Sequence, residues 1–315
     1  MTGIPRSPLL SRRALLKGSA LAVGGLALAA SYREMGLNAS EGRIQEEVVQ
    51  VVIPNLPPAF DGYRIAFFTD IHLGIWMPDE WVLAGLEMLQ QHAPDILVLG
   101  GDYILATENP LWPMLGWVRN PRYAGMDVSD SVPSLFADAA RMLSSFSAPD
   151  GTIAVVGNHE RWNSIELFYD AFRQYPSIQV LMNEEVRVSR GEQSLLFYGS
   201  DDYLTGLPRR LPEEPELPGR SCRIVVTHNP DYASALLDES DPSFRLALCG
   251  HTHGGQVCLP GLPLMAAPVD DTRFMAGLVQ VGDRFVYTSR GLGMVGVPFR
   301  VDCPPEVTIF ELKKA

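Results

Sequence analysis

The stretch Leu246-Ala247-Leu248-Cys249-Gly250-His251-Thr252-His253-Gly254-Gly255-Gln256 sets a short apolar run directly against two histidines. Four apolar residues stopped by glycine read as a buried strand that ends abruptly. The same arrangement recurs four times toward the N-terminus. Ile65-Ala66-Phe67-Phe68 leads to Asp70 and His72, and Ile96-Leu97-Val98-Leu99 to Gly100-Gly101-Asp102. Ile153-Ala154-Val155-Val156 leads to Gly157-Asn158-His159-Glu160, and Ile224-Val225-Val226 to His228. In an open α/β sheet, ligands bind beyond the C-terminal ends of the strands. Five such ends therefore predict one site assembled from five distant segments. Five of the six histidines belong to these clusters. The sixth, His92, sits before Ala93-Pro94 and reads as an ordinary helix-end residue.

The donor types point to metal. Asp70 and His72 stand two apart as they leave a strand and so point the same way, as do His251 and His253. The glycines before Asp102, Asn158 and His251 allow sharp turns and close approach. A set of carboxylate, imidazole and amide donors suits Mn, Fe or Zn better than a lone Ca or Mg, and it suffices for two ions.

The rest of the chain alternates strands and helices. Val48–Ile53 and Arg64–Phe68 read as strands. Residues 78–92 read as a helix with Val82, Leu83, Leu86 and Leu89 on one face. Leu135, Ala139, Met142, Leu143 and Phe146 mark another helix, and Asn163 with Glu166 three positions on predicts the start of a third. Residues 103–132 lack this order and read as an insert, in which Trp112, Trp117 and Tyr123 form either a lid or a small core of their own. Cys249 reads as a buried hydrophobe.

Charge is unevenly spread over the 315 residues, whose net charge is −12. Arg6, Arg12, Arg13 and Lys17 precede an uncharged stretch from Gly18 to Ser31, and no acid occurs before Glu34. A basic flank, a short apolar core and Ala27-Leu28-Ala29 predict an export signal over residues 1–30, with an uncleaved anchor or a buried helix as alternatives. The segment from Ser11 to Lys17, with its Arg pair, resembles the twin-arginine type, which implies the twin-arginine translocase as a partner and a destination in the periplasm or on the outer face of the membrane. Residues 31–47 read as a linker and 48–315 as the body. Removal of residues 1–29 leaves 21 basic against 37 acidic side chains, a net charge of −16. Such a balance disfavours nucleic acid as a partner. An acidic protein that handles phosphate needs local cations, and metal ions supply them.

Taken together, Asp70-x-His72, Gly101-Asp102, Gly157-Asn158-His159-Glu160, His228 and Gly250-His251-x-His253 resemble the calcineurin-like metallophosphoesterase superfamily. Gly-His-Thr-His-Gly-Gly-Gln, the Thr-His-Asn-Pro-Asp around His228 and Arg290-Gly291-Leu292-Gly293 resemble its exported bacterial branch, which is similar to UDP-2,3-diacylglucosamine pyrophosphatases. The resemblance implies a four-layer αββα sandwich. It implies that Asp70, His72 and His253 hold one divalent ion, that Asn158, His228 and His251 hold the other, and that Asp102 bridges them. A hydroxide shared by the ions would attack phosphorus in a phosphodiester, pyrophosphate or phosphomonoester, including a lipid or nucleotide-lipid substrate. His159 would then act on the leaving oxygen, with Glu160 orienting it. Arg161, Arg290 and Arg300 are candidates for substrate contact, and Cys258 and Cys303 can pair after export. The alternative is an exported metal-binding envelope protein without turnover. The chain departs from the superfamily pattern at Thr69, where glycine is frequent, and in the length of 103–132. It also departs from the related purple acid phosphatases: Leu105 stands where they place tyrosine, which argues against a tyrosinate-ligated ferric ion.

Overall fold

The computed structural model describes residues 43–106, 120–123, 127–213, 217–238, 243–258 and 267–315. The expected signal, Trp112, Trp117 and most of the expected insert lie outside them, as does the linker up to residue 42. No described helix is long and apolar enough to cross a membrane.

Among the described residues, twelve strands form two sheets. In chain order they are β1 (Gln45–Ile53), β2 (Arg64–Phe68), β3 (Ile96–Leu99), β4 (Thr152–Ala154), β5 (Ile178–Val180), β6 (Glu184–Arg190), β7 (Gln193–Gly199), β8 (Ser221–Val226), β9 (Leu246–Cys249), β10 (Gly277–Val281), β11 (Arg284–Thr288) and β12 (Glu306–Lys314). The first sheet has the order β1-β12-β2-β3-β4-β5 and the second β10-β11-β9-β8-β7-β6. β2, β3, β4 and β5 run parallel in one sheet, and β7, β8, β9 and β11 run parallel in the other. The helices are α1 (Asp79–Gln90), α2 (Val128–Leu143), α3 (Asn158–Asn163), α4 (Ile165–Phe172) and α5 (Pro230–Asp238).

Period-two alternation in the central strands builds the layers. Ile65, Phe67, Ile96, Val98, Ile153 and Val155 face Leu195, Phe197, Ile224, Val226, Leu246 and Leu248 across the middle of the sandwich. The residues between them in sequence, Ala66, Phe68, Leu97, Leu99, Ala154 and Val156, pack outward on Val82, Leu86, Leu135, Phe136, Phe168 and Phe172 of α1, α2 and α4. On the far side, Val225, Ala247, Cys249 and Val286 pack on Tyr232, Ala233 and Leu236 of α5. Strands with two buried faces read as unbroken apolar runs, which is why the alternation was silent in the sequence. The result is the expected αββα sandwich.

Several local expectations are corrected. β1 starts at Gln45, inside the expected linker, because Gln45–Glu47 pair with Glu306–Thr308 of β12. Leu83 is exposed, and Gly85 takes its place on the buried face of α1. The last residues of the expected insert are already helical, since α2 opens at Val128 with the Asp127 side chain accepting the Ser129 N–H. Tyr103 and Ile104 belong to the core rather than to an insert. Tyr123 is also buried there, its hydroxyl donating to Asp138 at 2.8 Å, so it is no part of a lid. The cap of α4 is Ser164, whose oxygen accepts the Leu167 N–H at 3.2 Å. Asn163 instead ends α3 and donates to the His159 carbonyl.

Candidate metal centre

The loops after β2, β3, β4, β8 and β9 converge at one edge of the sandwich, where they bring Asp70, His72, Asp102, Asn158, His159, His228, His251 and His253 into one buried cluster. The first two loops extend the parallel pairing of β2 and β3. The Asp70 N–H donates to Gly101 O, His72 N–H to Asp102 O and Leu73 N–H to Tyr103 O. The backbone there is not strand, however. Asp70, His72, Asp102, His251 and His253 have φ of +52°, +50°, +54°, +73° and +52°. Paired ligands two residues apart therefore converge through left-handed turns, and not by strand alternation. L-residues held this way cost of order 1–3 kcal/mol each and persist only where the surroundings over-determine them. Of the three glycines, only Gly101 needs a positive φ, at +95°. Gly157 and Gly250 are required by contact, because a Cβ would collide with Asp102 Oδ1 and with Asp70 Oδ2, respectively.

Asp102 lies at the centre. Its Oδ2 is 3.1 Å from His228 Nε2, 3.6 Å from His72 Nε2 and 4.0 Å from His159 Nε2. On one side, Asp70 Oδ1 lies 3.4 Å from His253 Nε2, and the Nε2 atoms of His72 and His253 are 3.0 Å apart. On the other, His251 Nδ1 is 3.3 Å from His228 Nε2. Asp70–His72–His253 and Asp102–His228–His251 each bring three donor atoms within reach of a single ion, and His72–Asp102–His159 form a third such group between them. Asn158 Oδ1 and His72 Nδ1 are buried with no hydrogen-bond partner.

The electrostatics fit cations. Burial first, then neighbouring imidazolium charge, holds His72 and His253 well below the usual histidine range and His251 near 4, and burial also lowers His159. Burial would depress His228 too, but Asp102 beside it pulls it well above that range; conversely, the surrounding histidines hold the Asp102 carboxyl low against its burial. The neutral imidazoles of His72, His251 and His253 have the form in which histidine binds metal, and His228 would release its proton to an ion. The orphaned buried Asn158 oxygen and this charge pattern fit a divalent-metal site.

Two buttresses were only partly legible in the sequence. Glu160 does not touch the His159 ring as expected. Its fully buried carboxylate accepts the backbone N–H groups of Gly157 (2.8 Å), Asp102 (2.9 Å) and Tyr103 (2.9 Å), so it fixes the loops of β3 and β4 together. Burial first, then Asp102, pushes its pKa up to about 8. Thr69 Oγ1 donates to Asp70 Oδ2 at 2.8 Å.

The arginines expected at substrate are engaged by protein. Arg161 pairs with Asp201 (2.6 Å), Arg290 with Glu47 and Glu306 (both 2.6 Å), and Arg300 is buried among backbone carbonyls. His92 makes a 3.0 Å contact with Glu46, away from the cluster. Two further residues were missed. Asp202 follows the apolar run of β7 much as the other clusters follow theirs, a signal that sequence inspection could have used. It is fully buried, and its charge acts on His159 and His228. Trp162, 61% exposed, packs edge-on against the His159 ring at 5.0 Å. Cys222, Cys249, Cys258 and Cys303 form no disulfide. The Cys258 and Cys303 sulfurs lie 3.4 and 3.5 Å from the same Gly254 carbonyl oxygen, so the expected pair is adjacent but not bonded.

Comparison with known proteins places the chain in a family. The family model described as calcineurin-like phosphoesterase matches residues 63–255. The chain is 32% identical over 254 residues to phosphodiesterase YaeI of Escherichia coli, covering 79% of this chain and 82% of that one. It is 28% identical over 313 residues to the uncharacterized metallophosphoesterase YkuE of Bacillus subtilis, covering 96% and 98%. Among solved structures, the NAD nucleotidase of Haemophilus influenzae aligns with a TM-score of 0.45 at 12% identity, over 73% of this chain and 50% of that one.

Proposed function

The chain belongs to the calcineurin-like phosphoesterase family and is a hydrolase of phosphate esters, and from that premise we propose that it works with two divalent ions and leaves the cytoplasm by the twin-arginine route. The observation that carries the two-ion reading is the position of Asp102, whose carboxylate is flanked by His72 on one side and His228 on the other. Asp70, His72 and His253 would hold one ion, Asn158, His228 and His251 the other, and Asp102 both. Mn, Fe and Zn match the donors. Ions held there supply Lewis acidity at the phosphate oxygens and lower the pKa of the attacking water.

The protein's own residues do the rest. Thr69 and the His251 N–H hold the Asp70 carboxylate from behind, and the His159 N–H holds Asp102 Oδ1 at 2.9 Å. Each carboxylate thereby keeps a fixed direction toward the centre. His159 in its protonated, imidazolium form would donate its Nε2 proton to the leaving oxygen, a role supported by the 11% exposure of its side chain against none for those of His72 and His228. Trp162 gives the leaving-group side an apolar edge, which supports a diester or pyrophosphate with an apolar or lipid leaving group. The Arg12-Arg13 segment and the acidic body support export.

The decisive test is hydrolysis of bis(p-nitrophenyl) phosphate by purified protein with Mn, alongside metal analysis. Absence of turnover with any of several divalent metals would favour the metal-binding envelope protein. Faster turnover of micellar than soluble substrate supports the lipid reading, and equal rates count against it. Retention of the full-length chain in the cytoplasm of cells lacking the twin-arginine translocase, with export in their parent, tests the route.

A further inference from the structure

We propose that Arg300 is a positioning residue for the ion held by Asp70, His72 and His253, and that it governs occupancy of that position alone. The inference rests on the two-ion reading. Arg300 is 1% exposed, which removes it from substrate. Its Nε donates to Gly293 O at 2.9 Å; its Nη2 donates to Gly293 O, Arg290 O and Gly291 O at 2.5, 2.8 and 3.1 Å; its Nη1 donates to Cys303 O and His253 O at 3.3 and 3.4 Å. Nη2 also lies 3.1 Å from His253 Nδ1.

Apart from that of Cys303, three residues along the chain from Arg300, these carbonyls belong to two segments that meet candidate ligands of the same ion. One is His253 itself. The other, Arg290–Gly293, is pressed onto Asp70. Leu292 N–H donates to Thr69 O at 3.2 Å and Gly293 N–H to Asp70 O at 2.6 Å, and a Cβ on Gly291 would lie 2.5 Å from that of Asp70. One planar guanidinium, with five donors in a fixed fork, thus ties the backbones of Asp70 and His253 together. Both residues sit in the left-handed region, where a conformation persists only if neighbours enforce it. Among the described residues Arg300 has no hydrogen bond to Asn158, His228 or His251, the ligands of the second ion. Lysine offers three donors from a single point and cannot serve both segments.

The test is equilibrium dialysis of full-length protein, Arg300→Lys and Arg300→Gln against graded Mn(II), with metal counted per chain and folding checked by circular dichroism. Wild type is expected to fill two positions. Both variants are expected to keep one at unchanged affinity and to bind the second at least ten-fold more weakly. Equal weakening at both positions, which a merely structural role would produce, overturns the inference, and so does unchanged affinity at both. If Arg300→Gln does not fold, Arg300→Lys, which keeps the charge, carries the test. Uptake of only one ion by wild type overturns the two-ion reading itself, and the inference with it.

Discussion

Glu160→Ala should cost more stability than any surface substitution, even though Glu160 contacts neither the expected ions nor the His159 ring. Its carboxylate accepts three backbone N–H bonds of 2.8–2.9 Å, from Gly157, Asp102 and Tyr103, at a fully buried position. Truncation leaves three buried donors unpaired. At about 1–3 kcal/mol for each, the loss is about 3–9 kcal/mol, against a typical total of roughly 5–15 kcal/mol. Glu160→Gln keeps one acceptor oxygen. Placed at the Oε2 position it retains the bonds from Asp102 and Gly157 and turns an amide N–H₂ toward the Tyr103 N–H. One orphaned donor then costs about 1–3 kcal/mol, so Gln should fall between wild type and Ala. Urea unfolding of the metal-free proteins measures this order, with unchanged slope as the check on two-state behaviour. An Ala variant within about 1 kcal/mol of wild type, or a Gln variant less stable than Ala, would refute the reasoning, because the three bonds would then contribute nothing net.

Other outcomes follow from the same geometry. His159→Ala should retain bound metal while turnover falls by about 10²–10⁴, the range for a general acid; loss of metal together with turnover, seen by elemental analysis, would place His159 in the ligand set. Gly101→Ala should weaken metal binding as well as stability, since φ is +95° and the new Cβ would stand 2.8 Å from Gly157 N and 2.9 Å from His228 Nδ1; unchanged metal affinity by dialysis would contradict this. Chelation should abolish activity and lower the melting temperature, and added Mn(II) should restore both, because ligands that bind only the folded state stabilise it. Incubation with oxidised glutathione should lower the count of titratable thiols in the unfolded chain from four to two, by exchange joining Cys258 to Cys303; Cys303→Ala should stop that change.

The clustered residues were legible because each follows an apolar run, and a strand end is where a polar cluster meets an open edge. Tyr103 was misplaced for the opposite reason. It directly follows Asp102 in a segment without periodicity, yet its hydroxyl donates to Val155 O at 2.7 Å and its ring stacks on Phe168 at 5.5 Å. Arg300 was misread because a lone arginine in a sequence looks solvent-exposed. Only the folded chain shows that its donors meet the carbonyls of His253 and of the Arg290–Gly293 segment as well as that of nearby Cys303. Glu160 was placed beside His159 by adjacency, whereas a helical turn sends neighbouring side chains in different directions, toward Gly157 and the Asp102 loop.

By itself the sequence determined the class of fold and the candidate donors, since these depend on residue type and on the local period of apolar residues. Tertiary structure decided which donors lie together, that Asp102 stands between His72 and His228, and that left-handed turns rather than strand alternation aim these side chains. It also assigned the buried acid and arginine to backbone support. Those outcomes depend on contacts between segments far apart in the chain, such as Asp70 with His251 and Arg300 with His253, and no local pattern encodes which distant carbonyl or N–H a buried charge will meet.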